Sequence, residues 1–255
     1  MHFYKLFFPL FCVRRNSMDL FGIYLIGALA VVAWLIVKRV QYARAGTTSL
    51  RRAKRIMGRH IFTPDDAFLY VGAPLPETAR RMLKRVSFNE ATLRHCKDTH
   101  LLVAVLPISI NEIRAKAERR HFSDNNWYAD LAFAKDEGLA GWHLVRKSSL
   151  PKSVWLPLGG QLGLLTEREA LPSARVMVFT IIGFREKQGD HLFDAEFVRC
   201  ADREGNYCIS VGNFEHYRGN ALELQRELEI QKQWESYVSG NLGIAPERLS
   251  DRDAA

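Results

Sequence analysis

Eighteen consecutive residues, Leu20–Val37 (LFGIYLIGALAVVAWLIV), carry no charge and no Asn, Gln or Pro, and nothing else in the chain restricts its fold so tightly. As a helix rising about 1.5 Å per residue, the run spans roughly 27 Å, close to the apolar thickness of a bilayer. Core helices seldom stay apolar on every face for so long. Tyr24 and Trp34 stand towards opposite ends, where amphipathic rings favour the headgroup level. The reading is a single membrane-spanning helix at 20–37.

The flanks set an expected orientation. Lys38, Arg39, Arg44, Arg51, Arg52, Lys54, Arg55 and Arg59 follow the run with no acid before Asp65, whereas Lys5, Arg14, Arg15 and Asp19 precede it. The richer basic flank stays inside. The expectation is therefore a single-pass protein of a bacterial inner membrane with its C-terminal domain cytoplasmic. The eight basic residues form the expected membrane-surface contact, with anionic lipid as partner. A cleaved signal peptide is the rival, with Ala28-Leu29-Ala30 as its small-residue site, but the apolar run continues to Val37 and ends in a basic cluster. Phe3–Val13 is too short to span, and Met18-Asp19 would make an ordinary start just before the helix, so Met1 and Met18 both stand as possible starts.

Residues 1–59 hold 11 basic side chains and one acid, while residues 60–255 carry a net charge of −2. Basicity thus belongs to the lead-in, and nucleic acid, which wants a basic face on the folded domain, is disfavoured as a partner. Cys12, Cys96, Cys200 and Cys208 are too few for a disulfide scaffold, and a reducing compartment keeps them as thiols. Cys200 and Cys208 flank the turn 202–206 and would pair only in an oxidising one. No Cys/His spacing suits zinc, and neither a metal nor a cofactor is expected.

Local signals give an α+β domain. A helix is expected at Ser49–Met57, capped by Ser49 and stopped by Gly58, with further starts at Thr63-Pro64-Asp65-Asp66 and Pro76. Ser87-x-x-Glu90 and Ser109-x-x-Glu112 read as capping boxes. His100–Leu106 and Gly141–Lys147 read as strands, and Glu196–Ala201 with Tyr207–Val211 as a hairpin. Pro172–Phe184 is ambiguous and is read as a buried helix. Arg218–Val238 is read as a C-terminal helix with an imperfect stripe of Leu224, Leu228, Ile230 and Trp234, followed by a polar, frayed tail. The expected organisation is a short segment at 1–19, the span at 20–37, a basic linker and helix at 38–59, a globular domain at 60–214 with a small mixed or antiparallel sheet and packed helices, and the C-terminal helix and tail at 215–255.

Taken together, Arg52–Gly58 (RAKRIMG), Cys96–Arg114 (CKDTHLLVAVLPISINEIR), Trp127–Tyr128 with Phe133–Lys135, Gly141–Ser148 (GWHLVRKS), Pro172–Gly183 and Phe197–Phe214 resemble, in the same order, a loose family of uncharacterised bacterial proteins. The resemblance covers roughly residues 52–214. Many of those proteins look as though they end in a C-type-lectin-like module, a fold also used by formylglycine-generating enzymes and hypervariable binding proteins. The resemblance implies ligand recognition and no transferable activity. This sequence departs after Val211-Gly212-Asn213-Phe214, where Glu215-His216-Tyr217-Arg218 and a charged stretch replace the binding segment.

No catalytic constellation stands out. His95-Cys96-x-x-x-His100 invites a metal or nucleophile reading, but nothing in the spacing orients it. Gly159-Gly160-x-x-Gly163 lacks the Lys-Ser/Thr of a phosphate loop and reads as a flexible loop. His143 is a strand histidine, and Glu167, Glu169, Asp194 and Glu196 offer carboxylates whose convergence the sequence does not show. Trp127, Tyr128, Trp142 and Trp155 suit a packed core better than a ligand pocket. The functional expectation is a membrane-anchored, cytoplasmic-facing binding or assembly module, with a protein partner on the C-terminal helix. A membrane-associated enzyme using Cys96 or His143 and, with reversed topology, a lectin-like domain are the alternatives.

Overall fold

The computed structural model describes residues 29, 31, 32, 34, 46–66, 75–117, 121–217 and 224–251, with 213–217 and 224–226 as backbone alone. The chain divides into two units, Met1–Ala45 and Gly46–Ala255. Among the described residues no helix is long and apolar enough to cross a membrane. That finding overturns the expected span at Leu20–Val37 and, with it, the single-pass inner-membrane placement. A span needs about 20 residues in one unbroken helix, whereas Leu29, Val31, Val32 and Trp34 are the helical positions described in that stretch. The rest of the segment lies outside the described residues, as do the short segment 1–19 and the two candidate starts.

In the second unit the chain runs through β1 (Thr48–Ser49), α1 (Leu50–Met57), β2 (Ile61–Phe62), α2 (Glu77–Leu83), β3 (Arg85–Val86), α3 (Glu90–Cys96), β4 (His100–Val105), α4 (Ile110–Lys116) and α5 (Ala132–Lys135). It continues through β5 (Gly141–Arg146), α6 (Leu158–Leu162), β6 (Glu169–Ala170), α7 (Ala174–Gln188), β7 (Phe197–Glu204), β8 (Tyr207–Tyr217), β9 (Leu224–Trp234), β10 (Leu242–Gly243) and β11 (Glu247–Arg248). A five-stranded sheet has the order β2-β4-β5-β11-β6, a four-stranded sheet has β10-β7-β8-β9, and β1 pairs with β3. Only β2–β4 and β10–β7 are parallel among these pairings.

The caps explain where the helices lie. Ser49 Oγ accepts the Arg52 N–H to start α1, and Gly58 at φ +56° ends it. Ser109 and Glu112 form the full reciprocal box on α4. At α3 the expected box is displaced: Asn89 is the cap, accepting the Thr92 N–H, while Ser87 Oγ donates to the Trp142 carbonyl. Residues 174–184 of α7 are buried on every side because the helix packs against β4 and β5 of one sheet and β7 and β8 of the other. Burial on all faces erases the 3.6-residue pattern and makes the β-branched content uninformative. Gly183 lets α7 approach Phe62, whose ring would lie 2.8 Å from a β-carbon at that position.

The C-terminal helix is a second correction. Leu224–Trp234 is strand β9, paired antiparallel along its whole length with β8 from Tyr207↔Trp234 to Tyr217↔Leu224. Its Leu, Gln, Glu, Arg and Lys content favours helix, but Leu228 and Ile230 alternate with polar residues and are buried against the core. Cross-strand pairing outweighs the propensity. The tail is also not frayed where it is described: β11 inserts between β5 and β6, and Ile244 and Ala245 are fully buried. In the β7–β8 hairpin a register shift between Arg199 and Arg203 separates the two cysteines. Cys200 faces the main core, whereas Cys208 packs with Leu158, Leu171 and Ile244 in a second cluster. Both are free thiols.

His100 opens β4 at 5 % exposure, with Thr99 Oγ1 at 2.8 Å from Nδ1 and no partner for Nε2 among the described residues. Burial, with Arg146 adding to it, lowers its pKa to about 4. The unfolded ring takes its proton near about 6.5, so between these values the unfolded state holds the extra proton and acid favours unfolding. The contribution is full above about pH 6.5 and is lost as pH falls towards about 4, amounting to about 3 kcal/mol. Urea unfolding is expected to show the stability of the wild type falling relative to that of His100→Leu by about this amount as pH drops across this range. Parallel pH profiles would contradict it.

Candidate functional site

Of the expected basic contact, Lys38, Arg39 and Arg44 lie outside the described residues. Arg51, Arg52, Lys54 and Arg55 are exposed on α1, and Arg59 is exposed in the turn after it. They surround the buried Ala53 and Met57, so the amphipathic helix turns its apolar stripe inward and its cations out. Arg52 is paired with Glu90 at 2.9 Å.

The candidate nucleophile and metal residues do not converge. Cys96 is buried, and that burial pushes its thiol pKa up although Arg248 pulls it down. His95 is exposed at the end of α3, while His100 is buried. Among the described residues no group of three His, Cys, Asp or Glu side chains could hold a metal ion. Gly159 and Gly160 lie in helix α6, not in a flexible loop, and Gly163 ends it. His143 Nδ1 lies 2.5 Å from Glu247 Oε2, a partner that sequence spacing could not supply across 104 positions. No hydroxyl or thiol joins that pair in the described hydrogen bonds. An open groove of about 610 Å³ beside α4 is lined by Asn111, Arg114, Ala115, Asp124, Asn126 and Ala129, with one carboxylate and no nucleophile.

The distinctive construction lies at the end of the four-stranded sheet. Tyr128 and Trp142 enter the core and Trp127 packs beside it, but Trp155 is 68 % exposed. Its φ is +61°, a left-handed conformation that costs a bulky residue roughly 1–2 kcal/mol. Its ring covers Gly240, where a β-carbon would sit 2.7 Å from Cζ2. Trp234, Tyr237 and Val238 are also exposed. Tyr207 backs Trp234 with ring centroids 4.1 Å apart. Trp155 N–H donates to the Ser239 carbonyl and Leu158 N–H to the Glu235 carbonyl, each at 2.9 Å, which stitches the two segments together.

Arg199 holds this surface from beneath. It is fully buried on β7, donating from Nη1 to Gln161 Oε1 (2.7 Å) and the Leu156 carbonyl, and from Nη2 to the Tyr237 and Trp234 carbonyls. Gln161 in turn donates to the Ser153 and Leu242 carbonyls. Burial lowers the pKa of Arg199, and no ion pair balances its charge among the described residues. Carbonyl dipoles replace the carboxylate. Neither Arg199 nor Gln161 stands out in the sequence; an arginine amid apolar strand residues (FVRC) is the one trace. No protein-family model, curated protein or solved structure matches the chain.

Arg199→Met would keep the aliphatic volume but leave the Leu156 and Tyr237 carbonyls and Gln161 Oε1 without this donor, while the Trp234 carbonyl keeps the Tyr237 N–H. At about 1–3 kcal/mol for each buried group left unsatisfied, the expected loss is at least about 3 kcal/mol in denaturant unfolding. Amide exchange should quicken at 153–165 and 234–242 before it does in α7. A loss below about 1 kcal/mol would mean the clamp is dispensable.

Proposed function

We propose that the chain is a non-enzymatic binding module that engages another protein through the face of Trp155, Trp234, Tyr237 and Val238. The observation that carries this reading is Trp155: a large aromatic kept in a left-handed conformation and displayed to solvent. Strain of this kind persists only where the surrounding structure enforces it, and it concentrates at functional positions. Trp and Tyr dominate the energetic centres of protein interfaces, which are poor in charge and rimmed by polar groups. Here the charged pair Arg203–Glu235 and Lys232 flank the aromatic strip.

Among the described residues the cysteines do not favour an enzymatic reading that uses a thiolate. Burial raises the pKa values of the Cys96, Cys200 and Cys208 thiols, which keeps them protonated and unreactive. The partner contact expected on a C-terminal helix moves to this face, which keeps Trp234 and gives up Leu228 to the core.

A photo-crosslinking amino acid placed at 155 or 237 in the full chain, in the native cell, tests the proposal. A discrete adduct with one protein is expected at both positions and not at Met82, an exposed apolar position on α2. Equal labelling at all three positions, or none, would overturn it.

A further inference from the structure

On the surface around α1, acids neutralise some cations and leave others. Arg52 and Arg94 share Glu90, and Lys187 takes Asp66 at 2.8 Å. Arg51, Lys54, Arg55, Arg59 and Lys147 form no ion pair among the described residues. The turn after α1 brings three of the basic groups together. Lys147, just beyond β5, places Nζ 3.5 Å from His60 Nδ1, and Arg59, next to His60 in the chain and exposed, acts electrostatically on both. The Gln188 side chain fixes this turn by donating to the Arg59 carbonyl at 2.9 Å.

The Lys147 ammonium donates to the neutral His60 ring, but the protonated forms of the three groups repel one another. Burial, Lys147 and Arg59 lower the pKa of His60, with Asp98 acting against them. Burial and Arg59 lower that of Lys147, again opposed by Asp98. Asp98 is exposed and bridges neither group. An ammonium facing an imidazole nitrogen, with a guanidinium at hand, is an arrangement that a multivalent anion stabilises. It accepts charge-assisted hydrogen bonds from all three and favours their protonated forms.

We propose that Arg59, His60 and Lys147 form a binding site for a phosphate group. Phosphate suits the site because its dianion offers several acceptor oxygens to donors of different geometry, the planar fork of Arg59 and the point charge of Lys147. The same group arrives as inorganic phosphate, as a soluble phosphate ester or as a lipid headgroup, and the chemistry at the three side chains is shared. The binding is separate from the aromatic face and does not depend on it.

The test follows the His60 ring signals by NMR in the full chain as pH is varied. The arms at equal ionic strength are chloride, inorganic phosphate, glycerol 3-phosphate, and phosphatidylcholine vesicles with or without phosphatidic acid. The His60 midpoint is expected to move up in the presence of the phosphate carriers relative to chloride. Arg59→Gln and Lys147→Gln should each weaken inorganic phosphate binding about tenfold while leaving the amide spectrum of the core in place. A midpoint that moves with phosphatidic acid vesicles alone assigns the site to lipid headgroups, and one that moves with the soluble anions assigns it to free phosphate esters. No movement in any arm, or a phosphate-induced movement that survives both substitutions, overturns the site.

Discussion

A buried guanidinium without a carboxylate is the constraint on which the exposed face depends. Arg199 stands on β7 with its charge spread over carbonyls from the segments that carry Trp155, Trp234 and Tyr237. Its two Nη groups reach four acceptors at once from a rigid plane, which a lysine could not reproduce. Without it the Leu156 and Tyr237 carbonyls lose this donor while the Trp234 carbonyl keeps only the Tyr237 N–H, so the guanidinium ties the two segments to the strand beneath them. The aromatic rings are thereby presented by a rigid scaffold instead of collapsing onto the sheet.

The frame behind that clamp follows from α7. A helix buried along residues 174–184 needs apolar surface on opposite sides, and the two larger sheets supply it. Chain crossings after β9 then tie both sheets to one C-terminal segment: β10 joins β7, and β11 enters between β5 and β6. The segment 235–241 links β9 to β10, which brings Tyr237 and Ser239 to the loop that holds Trp155. Gly212 permits a matching close approach, because a β-carbon there would lie 2.1 Å from the Glu196 carbonyl oxygen.

Features set by neighbouring residues were legible in the sequence. The Ser49 and Ser109 caps, strands β4 and β5, the hairpin turn and the helical reading of Pro172–Phe184 depend on local chemistry, and each lies where that chemistry puts it. Features set by distant partners were not. Strand β9 carries helix-forming residues, and its state is decided by pairing with β8. The His143–Glu247 contact and the Arg199 carbonyl cage join residues far apart in the chain, and a single sequence contains no term for them. In sequence Trp155 is indistinguishable from Trp127, Tyr128 and Trp142, since all four are large aromatics close together. Its positive φ, which turns it outwards, is a property of the surrounding loop. The span at 20–37 rests on hydropathy over a window alone, and among the described residues no helix is long and apolar enough to cross a membrane.

The proposed binding face requires Trp155 to be held in its conformation for display and not for packing, and unfolding free energy separates the two. Asparagine tolerates the left-handed region far better than tryptophan, and the backbone bond to Ser239 survives the change. Denaturant unfolding of Trp155→Asn is therefore expected to give a stability equal to or above that of the wild type. A loss of about 2 kcal/mol or more, of the size seen when a packed aromatic is truncated, would show that the ring stabilises the fold and would contradict the claim.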